Sequence, residues 1–222
     1  MKKEKIKGVI FDLDGTLIDS YQAIYLGFHY AYTNMGLPPM THDEVKEIVG
    51  LGLSHTFQDL LGKERVPQAL ALFRKKYEEV FRTNTYLLPE VREVLEALYG
   101  RRIQLAVATN KLGRFSREIF EHFAMKKLFT VIIGDGDVAQ NKPHPEMLYL
   151  ALEKMGLKKE DTVFVGDSLI DIQTAKNAGL RVFVVPTGNT GREDLEKARP
   201  TIVLNRLLDL LTYIEWPEAA KK

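Results

Sequence analysis

At 222 residues, with 45% hydrophobic and 27% charged residues, the chain has the make-up of an ordinary globular protein, long enough for one domain or for a domain carrying a smaller insert. Its 31 basic residues stand against 30 acidic ones, a formal net charge of +1, so there is no general electrostatic case for binding nucleic acid or an anionic membrane. Cysteine is absent, which excludes disulfides and thiol catalysis and fits a reducing compartment.

The segment Met1-Lys2-Lys3-Glu4-Lys5-Ile6-Lys7 has the charge of a signal peptide's first region, but Asp12 soon interrupts the apolar run that follows. No stretch approaches the ~18 apolar residues of a spanning helix. A soluble cytoplasmic protein is expected.

Five apolar runs rich in β-branched residues read as strands: Ile6 to Phe11, Ile103 to Ala108, Thr130 to Ile133, Thr162 to Val165 and Arg181 to Val185. They are continuous rather than alternating, as in strands covered on both faces, and stretches of helical period separate most of them. The expected class is therefore α/β, a Rossmann-like doubly wound parallel sheet with helices on both sides. Thr201 to Leu204 is a candidate edge strand.

Between the first and second strands lies a long interval, Tyr21 to about Leu88, without a recognisable strand. Tyr21, Ile24, Tyr25, Phe28 and Tyr32 keep helical spacing, and Thr41-His42-Asp43-Glu44 has the form of a capping box. Two further helices are expected over Ser54 to Leu61 and Pro67 to Arg82. A parallel crossover needs only one helix, so the excess reads as an inserted α-helical cap spanning residues 18–87, with residues 1–17 and 88–222 forming the α/β core. After Pro89, helices are expected over Glu90 to Tyr99, Gly113 to Phe123, Pro145 to Met155, Leu169 to Ala178 and Arg206 to Ile214, with Trp216 to Lys222 a frayed tail.

In open parallel sheets ligands sit beyond the carboxyl ends of the strands. Those positions hold Asp12 and Asp14 after the first strand, Thr109-Asn110-Lys111 after the second, Lys142-Pro143 beyond the third, and Gly166-Asp167-Ser168 with Asp171 after the fourth. A carboxylate can attack phosphorus and so divide a hard displacement into two easier ones, provided that a cation offsets the meeting of two anions. Asp12 fits the nucleophile. Asp12 and Asp167, with a backbone carbonyl, make a half-shell of oxygen ligands for Mg²⁺, while Asp171, four residues after Asp167, supports the metal or orients a neighbour. Asp14 fits a general acid/base. Lys142 offsets charge on Asp12 and the phosphoryl group, and Thr109, with nearby backbone N–H groups, binds phosphoryl oxygens.

Each piece also has a plain reading. Asp and Thr in loops cap helices, a lysine before proline is ordinarily an exposed loop residue, and Gly-Asp-Ser after a strand is equally a turn with a cap. It is the ordered conjunction at successive strand ends that favours chemistry.

That conjunction resembles the haloacid dehalogenase superfamily of phosphotransferases. Asp12-Leu13-Asp14-Gly15-Thr16 resembles its first motif, Thr109 its second, Lys142 its third, and Gly166-Asp167-Ser168-Leu169-Ile170-Asp171 its fourth. The insert after the first motif is similar to the superfamily's helical (C1-type) cap, and Thr109-Asn110-Lys111 with Asn141-Lys142-Pro143-His144-Pro145 is most similar to the phosphoglycolate phosphatase group. The resemblance implies Asp12 as nucleophile, Asp14 as acid/base, Thr109, Asn110 and Lys142 as phosphate or substrate contacts, and Mg²⁺ held by Asp12, Asp167 and the Asp14 main-chain carbonyl. The implied partner is a small phosphorylated metabolite, with no signal choosing between monomer and homodimer. Dehalogenases proper lack the second carboxylate, because a halide leaves without a proton, so Asp14 argues for phosphate chemistry. A sugar phosphomutase similar to β-phosphoglucomutase, an inorganic pyrophosphatase and a non-catalytic phosphometabolite-binding protein stand as alternatives. In the insert, Lys46, Gly50, Gly52, His55 and Arg82 are candidate substrate contacts. Gly50-Leu51-Gly52 also reads as a helix break, the Tyr25, His29, Tyr32 stripe reads as cap packing, and His144 receives no catalytic role.

Overall fold

The computed structural model describes residues 5–215; the tail expected over Trp216 to Lys222 lies outside them. Strand β1 (Gly8–Phe11) is the centre of a six-stranded sheet in the order β5-β4-β1-β6-β7-β8, with every pairing parallel. Its neighbours are β4 (Gln104–Leu112) and β6 (Thr162–Gly166); β5 (Val131–Asp135) lies outside β4, and β7 (Arg181–Val184) and β8 (Ile202–Val203) lie outside β6. The apolar runs are unbroken because both faces are covered. Val9, Phe11, Leu105, Val107, Val163 and Val165 point into one core, while Ile10, Ala106, Ala108 and Phe164 point into the other. Helices α5 (Val91–Gly100) and α6 (Gly113–His122) cover the first face, and α7 (Glu146–Met155) and α8 (Leu169–Ala178) the second.

The chain moves outward from β1 through β4 to β5, then crosses back to β6 on the other flank and continues outward. Strand order therefore reverses at β1, and this topological switch opens a crevice beyond the carboxyl ends of β1, β4 and β6.

Four helices are inserted between β1 and β4: α1 (Tyr21–Asn34), α2 (His42–Ile48), α3 (Leu53–Leu61) and α4 (Val66–Val80). The expected capping box opens α2, with the Thr41 hydroxyl accepting from Glu44 N at 3.3 Å and Glu44 accepting from Thr41 N at 2.7 Å. Phe28, Phe57 and Phe73 form the centre of the insert, and Tyr77 and Phe81 carry that packing onto Phe115 of α6. Such edge and offset contacts between large rings bury much area with a defined geometry.

Three local differences from the sequence reading stand out. The interval after β1 does contain strand: β2 (Ile18–Asp19) pairs antiparallel with β3 (Tyr86–Leu87), joining the two chain passages that enter and leave the insert. Two-residue strands carry too little pattern to be read from periodicity. A six-residue helix, α9 (Arg192–Lys197), went unassigned because Leu195 is its single buried residue. The helix expected over Arg206 to Ile214 is instead a 3-10 turn, Leu207–Asp209, followed by α10 (Leu210–Tyr213).

Candidate functional site

Asp12 follows β1 directly and is held by that strand's pairing, since Asp12 N donates to Val165 O at 2.8 Å. Lys142, in the segment between β5 and α7, is 4% exposed, and its ammonium lies 2.8 Å from Asp12 Oδ1 and 2.8 Å from Asp171 Oδ1. The plain reading of Lys142 as an exposed loop lysine is thus excluded. Asp171 is fully buried, and its other oxygen accepts from Asp167 N, Ser168 N and Ser168 Oγ at 3.2, 3.1 and 2.6 Å. Ser168 meanwhile caps α8 through Asp171 N, so the Gly166-Asp167-Ser168 segment is both a helix start and part of the site.

Three carboxylates therefore face one buried ammonium. Carboxylate oxygens of Asp12, Asp167 and Asp171 lie within 4.8 Å of one another. Burial, then the charge of Asp171, pushes the Asp12 carboxyl up to about 7 against the opposing pull of Lys142. Burial, then Asp171 and Asp12, raises Asp167 as well. Burial alone would lower Lys142, but Asp12 and Asp171 outweigh it and hold the ammonium charged. Such crowding calls for a further cation, and an all-oxygen donor set suits a hard divalent ion.

The Asp167 carboxylate sits in a tight niche that two glycines make possible. Its Oδ1 accepts from Thr16 Oγ1 at 2.5 Å, while a Cβ on Gly15 or Gly188 would come within 2.4 or 1.7 Å of Oδ2. Asp171 has both oxygens committed to the protein, so within the triad Asp12 and Asp167 are the residues that could hold a cation.

Thr109 and Asn110 stand where β4 loses its regular register with β5, after Ala108. Thr109 is buried and does not cap α6, whose cap position is Leu112; its Oγ1 instead accepts from Lys111 N at 3.2 Å. The Asn110 amide ties two parts of the site together. Its Oδ1 accepts from Lys142 N at 2.9 Å, and its Nδ2 donates to Lys142 O at 3.1 Å and to Gly50 O of the insert at 2.8 Å. Gly50-Leu51-Gly52 is accordingly both a helix break, with φ of 131° and 90° at its glycines, and backbone reaching the site.

These groups line a cleft of about 930 Å³ between the strand ends and the insert. Of the candidate contacts in the insert, Lys46, Gly50 and Gly52 border it. His55 borders an adjoining hollow that shares Leu51, Gly52 and Lys142 with the cleft, and it pairs with Asp59 at 3.4 Å, whereas Arg82 pairs with Glu118 of α6 and does not line the cleft. The Tyr25, His29, Tyr32 stripe stays outside the cleft lining, and His144 turns to Glu146.

The model of the haloacid dehalogenase-like hydrolase family matches residues 9–185. The chain belongs to that family. Among relatives, phosphoglycolate phosphatases from Shigella boydii and Escherichia coli K12 are 32% and 31% identical over 98% of this chain and 96% of their own length. A crystal structure of a predicted phosphoglycolate phosphatase from Haemophilus somnus, 28% identical, superposes with a TM-score of 0.85 over 95% of this chain and 99% of its own. Family membership, relatives and site chemistry make this haloacid dehalogenase-like hydrolase a phosphatase enzyme. Among the described residues no helix is long and apolar enough to cross a membrane.

Sequence reasoning missed the surroundings of Asp14. Lys111 Nζ lies 2.9 and 3.0 Å from the two Asp14 oxygens and 3.2 Å from Ser20 Oγ, and Ser20 itself donates to Asp14. Lys111 had the available signal of standing two residues after Thr109 at a strand end. Gly188, which makes room for Asp167, had none.

Proposed function

We propose that the chain hydrolyses a small phosphate monoester, with phosphoglycolate the leading substrate, through an aspartyl-phosphate on Asp12. The observation that carries this reading is the Asp12 carboxylate at the switch-point strand end, braced by Lys142 and followed two residues later by Asp14. Asp12 attacks phosphorus, and the ester oxygen departs with a proton from Asp14; Asp14 then takes a proton from the water that cleaves the acyl phosphate. Thr109 Oγ1 and Lys142 Nζ hold phosphoryl oxygens, and Asp171 keeps Lys142 in place. Asp12, Asp167 and the Asp14 main-chain carbonyl would hold Mg²⁺, which would supply positive charge to offset the meeting of two anions. Residues 18–87 act as a cap over the cleft, excluding water until the alcohol has left, with the β2–β3 pair as their hinge. The substrate assignment is supported by the phosphoglycolate phosphatase relatives.

The test is phosphate release from phosphoglycolate, other small esters, glucose 1-phosphate and pyrophosphate, with Mg²⁺ or a chelator, against Asp12→Asn. The expected result is Mg²⁺-dependent release strongest on phosphoglycolate and a loss of about 10³-fold or more in Asp12→Asn, which keeps its fold. Near wild-type turnover in that variant removes Asp12 as nucleophile; conversion of glucose 1-phosphate to an isomer without phosphate release replaces hydrolysis by a mutase reaction.

A further inference from the structure

Lys111 has a partner that conflicts with the reaction. Its side chain is 7% exposed, and the Tyr77 ring lies 5.0 Å from its ammonium. The ammonium engages both oxygens of Asp14, and Ser20 donates to the same carboxylate. These contacts occupy three of the four lone-pair sites of the Asp14 carboxylate, so serving a leaving-group oxygen competes directly with its hold on Lys111. A buried ammonium does not lose its carboxylate cheaply, because the charge left behind is uncompensated. The contact is released at low cost only if another anion takes the carboxylate's place.

We propose that this anion arrives with the substrate, and that Lys111 is the specificity residue for a carboxylate on the carbon next to the phosphate-ester oxygen. The placement argues for so short a spacing. Lys111 N donates to Thr109 Oγ1 at 3.2 Å, so the lysine shares the strand end that receives the phosphoryl group. Its bond to Asp14 sets the ammonium beside the carboxylate that addresses the leaving oxygen. An anion reaching both places belongs to a 2-phosphoryloxy carboxylate. The other lysines of the cleft fit less well. Lys142 already answers Asp12 and Asp171, and Lys46 stands on the insert over the Tyr21 ring at 5.5 Å. An incoming carboxylate thus replaces Asp14 as the counterion of Lys111 and frees Asp14 for the ester oxygen, whereas a neutral ester of the same size leaves the pair closed. This inference rests on the phosphatase reading above and adds the residue that reads the carboxylate of its substrate.

The test compares kcat/KM for 2-phosphoglycolate and for its alcohol counterpart, 2-hydroxyethyl phosphate, in wild type, Lys111→Met and Lys111→Arg, with thermal melts of all three. Wild type is expected to favour the carboxylate by about 10²-fold or more, Lys111→Met to lose activity on both esters but bring the ratio below about 10, and Lys111→Arg to keep most of the preference. An unchanged ratio in folded Lys111→Met overturns the role of Lys111 while leaving the phosphatase reading intact. Should Lys111→Met not fold, the other two proteins decide, and a wild-type ratio below about 3 overturns the proposal. Phosphate release from other esters but none from phosphoglycolate overturns both the substrate assignment and this inference.

Discussion

The strand-end site and the helical insert are built by opposite means. Around Asp12 the buried groups are charged, and their positions are fixed by named bonds: Asp171 alone accepts from three donors and pairs with Lys142. The insert is held by aromatic rings, and its main-chain approach to the site runs through two carbonyls, Gly50 O beyond the end of α2 taken by Asn110 and Lys46 O within α2 taken by Asn189. Charge chemistry needs atoms fixed to within fractions of an ångström, which crowded buried networks provide at a cost in stability. A cover that must admit and release substrate needs the reverse, a firm interior with few contacts at its moving edge.

The sharpest way to break this contrast is at Asp171, which holds the charged network without facing the substrate in the proposed reaction. Asp171→Ala leaves Lys142 with Asp12 as its one carboxylate and strands three donors. The expected outcome is a loss of about 3–5 kcal/mol in unfolding free energy and of about 10²-fold in kcat, measured by denaturant titration and phosphate release. Asp171→Asn keeps the shape and an acceptor and should recover part of the stability but little of the rate. Equal rates for Asn and wild type would mean that Lys142 is placed by Asn110 alone.

A smaller effect comes from the carboxylates themselves. Asp12 rises from its ordinary 3.8 to about 7, through burial and then Asp171, and Asp167 moves the same way. A carboxyl raised in the folded state contributes its full stability below its unfolded value and loses it as pH climbs through the folded one. The metal-free protein should therefore weaken between about pH 4 and pH 7. A divalent cation relieves the same repulsion and needs the ionised carboxylates. At 100-fold excess over its Kd, Mg²⁺ should add about 2.7 kcal/mol, with a larger rise in Tm at pH 7.5 than at pH 5. Equal rises at both would place the ion elsewhere.

The parts legible in the sequence are those whose signal is local. Continuous apolar runs announced the sheet, and the polar residues ending them announced Asp12, Thr109, Lys142 and Asp167, because a strand end combined with the switch-point rule converts sequence position into spatial position. Asp171 was legible from its spacing to Asp167. What stayed hidden depends on pairings between distant segments: Lys111 with Asp14 across 97 positions, Thr16 with Asp167 across 151, and Asn110 with Gly50 across 60. In the insert, helical periodicity identified the helices but not which faces turn inward. Lys46 and Arg82 were equal candidates by type, and only Lys46 borders the cleft.

Asn110 is where the two regions meet, and its replacement should give the smallest of these effects and the most informative one. The side chain satisfies Lys142 N, Lys142 O and Gly50 O at once. Asn110→Ala removes all three bonds; at about 1 kcal/mol for each, partly regained through water, the expected cost is about 2 kcal/mol, or a Tm lower by about 4–8 °C. Asn110→Asp separates the roles, since it keeps an acceptor for Lys142 N and loses both donors. If the insert's contact with Gly50 O matters mainly for closing the cleft, Asn110→Asp should raise KM about tenfold with kcat little changed, because the lost bond stabilises the substrate-bound and transition states alike. If the amide instead fixes Lys142 against the phosphoryl group, Asn110→Ala should lower kcat and leave KM near wild type. A variant that changes neither would show that the insert closes over the site without the Asn110 link, its position being set by its other contacts, among them Tyr77 and Phe81 on Phe115, Lys46 O on Asn189 and Arg82 on Glu118.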